Sequence, residues 1–300
     1  MGTTGEWLYA ELPARGLLEV AGEDRVAFLQ GLVTNDVTKA TEERAIYAAL
    51  LTAQGRYLFD FFILALGDAL YLDTEAARLG DLQRRLSLYK LRSKVTLADA
   101  SSRFAVAVGF GAKIENTLGL ASEGAAKAFG GGLAYRDPRL AALGLRFALP
   151  RATGFAALDE AGFARADEAA YDRHRLAFGV PDGSRDLPVE KALLLESGFD
   201  ELNGIDWQKG CYMGQELTAR TKYRALVKKR LLPVSVEGPL PAPGTPVMRD
   251  GTEAGEIHSG RDGQALALLR LDALDEADAN APLTAGAARL KPEKPLWAKL

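Results

Sequence analysis

Apolar positions follow a helical period in some stretches of this chain and run unbroken in others, and that alternation sets out its elements. After a short apolar segment at 17–20, Asp24 stands as a helix N-cap ahead of Val26, Leu29, Leu32 and Val33, which fall at helical spacing. Thr34-Asn35-Asp36 punctuates the end of that helix. Residues 45–51, 57–66 and 70–73 are apolar runs of strand length, the first two separated by Ala53-Gln54-Gly55-Arg56. Residues 75–89 form an amphipathic helix pattern with Leu79, Leu82 and Leu86 on one face, and 94–97 and 104–110 read as further strands. The stretch 111–132, rich in alanine and glycine, fits a helix pair or a lengthened surface excursion. Asp137-Pro138-Arg139 breaks the chain before a strand near 143–149. A second helical region at 164–178 leads into a Pro/Gly-rich loop at 179–188 and a helical or turn segment at 190–197.

From Leu226 onward short strands with turns replace helices, at 231–236, 246–249, 255–259, 265–271 and 287–290. Asp250-Gly251 and Asp262-Gly263 between them are strong hairpin signals, because Asp-Gly supplies the two left-handed positions of a tight turn. The pattern predicts an α+β fold. A body occupies 1–229, with an internal boundary near 100–165, and a small β-barrel occupies 230–300.

A chain of 300 residues with 48% hydrophobic content has enough apolar surface for about two domains. The net charge of −3, from 37 basic and 40 acidic residues, exerts no global pull toward nucleic acid or an anionic membrane, and neither is an expected partner. The dense basic stretch Arg220, Lys222, Arg224, Lys228, Lys229 and Arg230 reads as a solvated face. No apolar run reaches the roughly 20 residues of a membrane span. Residues 1–12 carry Glu6 and Glu11 and no basic-then-apolar pattern, so neither a secretory signal nor an Arg-rich transit peptide is expected there. The cytoplasm is the default location. One cysteine excludes an intrachain disulfide framework and a CxxC zinc site, and two histidines, His174 and His258, leave little for a metal centre built by this chain.

That cysteine sits in Lys209-Gly210-Cys211-Tyr212-Met213-Gly214-Gln215-Glu216-Leu217-Thr218-Ala219-Arg220. The two glycines fit tight turns, and good helix formers follow Gly214, with Glu216 and Arg220 in the supportive i,i+4 order. Cys211 is therefore expected on a turn just before a helix. There backbone N–H groups, the helix dipole and a close Lys209 favour a thiolate, which can ligate a metal or attack an electrophile. The alternative is a small buried hydrophobe. Trp7, Trp207 and Trp297 read as core or interface anchors, and Trp207, four residues before the cysteine, is alternatively a wall of its pocket. Asp60 is a second candidate: within the apolar run Tyr57-Leu-Phe59-Asp60-Phe-Phe-Ile63 its carboxylate either faces solvent on an edge strand or is buried with partners. Gly130-Gly131-Gly132 lacks the strand-before, helix-after context of a nucleotide loop and reads as a turn.

The run Lys-Gly-Cys-Tyr-x-Gly-Gln-Glu resembles the signature of the YgfZ-type folate-binding proteins, relatives of the glycine-cleavage T-protein, an aminomethyltransferase. The likeness extends through Thr218-Ala219-Arg220 to Lys228-Lys229-Arg230 and back through Gly179-Val-Pro181-Asp-Gly-Ser-Arg185-Asp-Leu-Pro188, a pattern similar to the branch that acts in mitochondrial-type iron–sulfur cluster assembly. Gly31-Leu-Val-Thr34-Asn35-Asp36 and 53–60 resemble the family too, and the match is weakest in 111–134. The resemblance implies an aminomethyltransferase-like, folate-binding body of two interlocked α+β units with the C-terminal barrel. It implies Cys211 and Asp60 as catalytic or reactive groups and Cys211 as metal ligand, with Asn35, Asp36, Trp207, Lys209, Tyr212, Gln215, Glu216 and Arg220 around a ligand. The function it implies is assistance in maturation or repair of iron–sulfur proteins. Tetrahydrofolate and a shared iron–sulfur cluster are the implied cofactors, and an A-type iron–sulfur carrier and client iron–sulfur enzymes the implied partners. One cysteine cannot hold a cluster alone, so a carrier would supply the remaining thiolates. The alternative is a tetrahydrofolate-dependent aminomethyltransferase. Two departures bear on it: Phe59 and Arg56 stand in the segment where aminomethyltransferases have Gly-Gly-x-x-Asp-Asp, and Ala177 stands where they have a pterin-binding glutamate, which leaves turnover open.

Overall fold

A computed structural model of the chain describes residues 7–224, 226–274 and 282–299; the first six residues of the segment read for a targeting signal lie outside it. The chain divides into two compact units, one of 1–51, 58–171 and 202–213 and the other of 52–57, 172–201 and 214–300. Among the described residues no helix is long and apolar enough to cross a membrane.

The first unit holds two sheets. One runs in the order β3-β4-β5-β2-β6, with β2 (Arg15–Ala21), β3 (Ile46–Leu51), β4 (Tyr57–Leu66), β5 (Ala69–Glu75) and β6 (Thr96–Asp99). The helices α1 (Arg25–Gln30) and α2 (Leu79–Lys90) cover it: Phe28 and Leu29 of α1 and Leu79, Leu82 and Leu86 of α2 share one core with Leu18, Leu50, Phe61 and Ile63. The helical face read from the spacing of Leu79, Leu82 and Leu86 is thus the buried one. β4 lies inside this sheet and is buried along its first eight residues, which is why its sequence shows no alternation.

The other sheet runs β11-β1-β7-β10-β9-β8, with β1 (Trp7–Glu11), β7 (Phe104–Gly111), β8 (Ala126–Phe129), β9 (Gly132–Arg136), β10 (Leu145–Pro150) and β11 (Ala164–Arg165). Helix α3 (Gly154–Glu160) packs Leu158 into its core beside Phe147 and Phe163. The 111–132 stretch is neither a helix pair nor an excursion. Apart from a 3-10 segment at Ile114–Gly119 it supplies β8 and the tight turn Gly130-Gly131, both at positive φ, into β9. The two sheets meet through buried polar groups. Asp73 of β5 accepts from Arg15 Nε of β2 at 2.7 Å, from Arg146 Nη2 of β10 at 2.7 Å and from Tyr135 Oη of β9 at 3.2 Å.

The second unit contains a closed barrel in the order β12-β15-β14-β13-β16-β17, formed by β12 (Lys229–Glu237), β13 (Pro246–Arg249), β14 (Thr252–Arg261), β15 (Gln264–Arg270), β16 (Leu283–Ala285) and β17 (Ala288–Pro292). Val234, Val247, Ile257, Ala267, Leu269 and Leu290 fill its core. Helix α4 (Glu168–Ala177), which starts in the first unit, is anchored in the second by Arg175: it donates to Asp172 Oδ1 at 2.7 Å, Asp186 Oδ2 at 2.8 Å and Ser259 Oγ on β14 at 2.7 Å. Helix α5 (Gln215–Tyr223) follows Gly214, the residue at its N-cap, whose φ is +81°. The basic stretch after it is not wholly a solvated face. Arg230 is buried, donating to Leu195 O at 3.1 Å and Glu201 Oε1 at 2.7 Å.

Candidate functional site

In the first unit the turn after α1 and the segment leading to the cysteine are tied together by hydrogen bonds. Thr34 Oγ1 donates to Gly204 O at 2.6 Å, and Asn35 Nδ2 donates to Tyr47 O on β3 at 2.7 Å and to Asn203 O at 2.8 Å. The backbone N–H of Asp206 donates to Thr34 O at 3.0 Å. Asp206 in turn caps the next turn, accepting on Oδ1 from the N–H groups of Gln208 at 2.8 Å and Lys209 at 3.2 Å. Asp206 thus bonds the backbone just after it, as a turn-forming Asp does, whereas Thr34 and Asn35 spend their side chains on backbone far away in the sequence, at 203 and 204.

Lys209 is a clamp. Its Nζ donates to Gln30 O at 2.8 Å, Val33 O at 2.5 Å and Asn35 O at 2.9 Å, gathering the carbonyl of the last residue of α1 and two from the turn that follows it. Burial pushes its ammonium down to about 8, against the pull of Asp36 and Asp206. The ammonium also lies 5.2 Å from the centroid of the Tyr212 ring. Four residues on, Met213 donates its N–H to Gly31 O at 3.1 Å and packs its side chain against the core of the five-stranded sheet. Cys211 stands between these two fixed points and is exposed, so it is no buried hydrophobe.

Beside this segment opens a cavity of about 610 Å³, lined by Asn35, Lys39, Arg44, Tyr47, Trp207 and Gln208 among others. Lys39 Nζ reaches Asp206 Oδ2 at 2.5 Å; burial would raise that carboxyl, but the Lys39 contact and the two backbone N–H groups hold it below the usual range. Asp36 is held low by hydrogen bonds from Thr38 and Gln30 against the opposing effect of burial. Asp60 does not face solvent: it is 2% exposed and accepts from Tyr47 Oη at 2.8 Å, beneath a residue of the cavity wall. Burial and the Asp60 charge raise the Tyr47 phenol well above its ordinary value, so it stays a donor.

Asn35, Asp36, Trp207, Lys209, Cys211 and Tyr212 thus come together in the first unit with Asp60 behind Tyr47. Gln215, half-buried, and Glu216 and Arg220, both exposed, lie on α5 in the second. Tyr47, Asn203 and Asp206 went unread in the sequence. Tyr47 is hidden in an apolar strand, whereas Asp206 carried a legible signal as a turn former just ahead of the cysteine motif. Among the described residues no group of three or more His, Cys, Asp or Glu side chains could hold a metal ion.

Two family models match the chain, the GCVT N-terminal domain over 11–128 and the CAF17 C-terminal beta-barrel domain over 228–300. The solved structure of glycine cleavage system aminomethyltransferase T from Bartonella henselae shares the fold, with a TM-score of 0.76 and 14% identity over 97% of this chain and 86% of that one. The chain is therefore built as an aminomethyltransferase-like α+β body with a CAF17-type barrel. Its sequence is 36% identical over 288 residues to the mitochondrial iron–sulfur cluster assembly factor IBA57 of Mus musculus, covering 89% of this chain and 79% of the relative. The Homo sapiens protein is 36% identical over 281 residues, covering 88% and 77%. The chain belongs to the IBA57 family of iron–sulfur cluster assembly factors. This corrects the cytoplasmic expectation, since the curated relatives are mitochondrial by name. Overall charge and the residue types in 1–12 do not specify a compartment.

Proposed function

We propose that this chain assists maturation or repair of iron–sulfur proteins, with Cys211 as the ligating or reactive group of the YgfZ-like motif. The observation that carries the reading is the placement of Cys211: an exposed thiol on a segment pinned at Lys209 and Met213. A thiolate held so can meet a cluster carried by another protein without the chain reorganising to reach it. The cluster is cargo. Clusters are held by several thiolates, this chain has one, and an A-type carrier supplies the others before transfer to client enzymes. Anaerobic mixing of the chain with iron, sulfide and an A-type carrier should give a visible absorption spectrum distinct from that of the carrier alone. A spectrum identical with and without Cys211 would reject the cysteine's role.

Tetrahydrofolate is a further ligand proposal, supported by the family resemblance. Ala177 lacks the acid that aminomethyltransferases offer a pterin, so affinity should be modest. Losing a charge-assisted hydrogen bond costs about 1.5–3 kcal/mol, roughly one to two powers of ten in binding. Ala177 is exposed at the end of α4, where a glutamate is tolerated by the fold. Ala177→Glu should therefore tighten tetrahydrofolate in calorimetry, and unchanged binding would reject a pterin site at that residue.

A further inference from the structure

The second unit has a cavity of its own, of about 400 Å³, to which nothing above assigns a role. His258 of β14 lines it and is 5% exposed. One ring nitrogen hydrogen-bonds the backbone of Asp186, while Nε2 is buried with no hydrogen-bond partner. Since Nδ1 then carries the proton toward the Asp186 carbonyl, Nε2 presents a lone pair, and burial lowers the imidazole's affinity for a second proton. A buried acceptor left without a donor is costly in a folded protein and calls for an explanation.

The rest of the wall says what the donor would be attached to. Arg56, Lys191 and Lys229 bring positive charge, and Glu196 and Glu256 bring negative charge. Asp186 is already engaged by Arg175 at 2.8 Å and by the N–H groups of Asp182 and Ser259, both at 2.9 Å. Burial raises the Glu196 carboxyl even with Lys229 and Arg56 near enough to oppose it.

We propose that this cavity binds a small carboxylate bearing an adjacent N–H or O–H donor, an amino acid or hydroxy acid, with Arg56 and Lys229 receiving the carboxylate and His258 Nε2 accepting from the donor. The assignment rests on the second unit alone and is independent of Cys211.

The chain has two histidines, so nitrogen NMR of protein labelled at histidine reads His258 directly and keeps His174 as an internal control. Glycine, L-glutamate and L-lactate are titrated against their donor-free counterparts acetate, glutarate and propionate. At least one donor-bearing acid should shift His258 Nε2 saturably in the millimolar range and bind about tenfold or more tightly than its counterpart. Arg56→Gln should weaken that binding about tenfold. Because Arg56 also donates to Lys191 O, Lys229→Gln, at an exposed side chain, is the second variant and should weaken it too. No saturable shift with any of the three acids, equal binding of matched pairs, or full affinity in both variants would overturn the proposal. Failure here leaves the reading of Cys211 as it stands.

Discussion

Lys209 shows how one side chain can tie distant segments of the first unit together. Sequence reading placed it near Cys211 as a charge that favours the thiolate; the structure spends its three donors on the carbonyls of Gln30, Val33 and Asn35. Removing it leaves those acceptors without a cation, a larger effect than the relief of desolvating the ammonium. Lys209→Met should therefore lower stability by about 2 kcal/mol, read as a lower urea midpoint. An unchanged midpoint would show that water replaces the ammonium. Asp60 carries the converse lesson. A carboxylate in an apolar run left two placements open, and only the position of β4 inside its sheet, with Tyr47 donating from the neighbouring strand, decides for burial.

At the scale of elements, legibility followed how local each signal was. The hairpins at Asp250-Gly251 and Asp262-Gly263 are written in their own residues, and all four adopt positive φ as such turns require. β1 is five residues long and is defined by its pairing with β7 and β11, about a hundred or more positions away, which no local period encodes. β8 and β9 are hidden because alanine and glycine carry little propensity of their own, and it is the pairing of β9 with β10, and of β8 with β9, that makes them strands. The loop 52–57 is a further case of a distant requirement. Gly55 has φ +81°, and a Cβ there would lie 2.7 Å from both Gly214 O and Leu217 Cβ at the start of α5. Gly55→Ala should cost about 1–3 kcal/mol through strain and overpacking combined, and amide exchange should speed up in the first turn of α5. Wild-type exchange there would show that the loop moves away freely.

At the scale of the molecule, each unit contains carboxylates that folding makes more acidic. Burial would raise Asp73, but Arg15 and Arg146 outweigh it, and burial would raise Asp172, but Arg175, Arg185 and Arg261 outweigh it. Both folded values lie below the unfolded one near 3.8, so the unfolded chain binds more protons in acid. Their stabilisation is complete above that value and is lost as pH falls through the folded values. Denaturant midpoints should hold from pH 7 to about 5 and drop steeply below pH 4, with a shallower drop in Asp73→Asn measured from its own lower plateau. A wild-type midpoint flat to pH 3 would contradict this.

The fold itself is shared at 14% identity with an aminomethyltransferase, so architecture cannot tell a transferase from an assembly factor; individual side chains can. A transferase that uses a carboxylate should depend on Asp60 and tolerate loss of the cysteine, whereas an assembly factor should do the reverse. Asp60→Asn keeps the size of the side chain and an oxygen for Tyr47 Oη, and Cys211→Ser at an exposed position keeps the fold while removing a soft, easily ionised ligand. In cells lacking the endogenous protein, Asp60→Asn should restore the activities of iron–sulfur enzymes nearly as well as wild type, and Cys211→Ser should restore little. The readout is the activity of those enzymes at equal levels of the two variants. Full rescue by Cys211→Ser together with failure of Asp60→Asn would move the chemistry from the exposed thiol to the buried carboxylate.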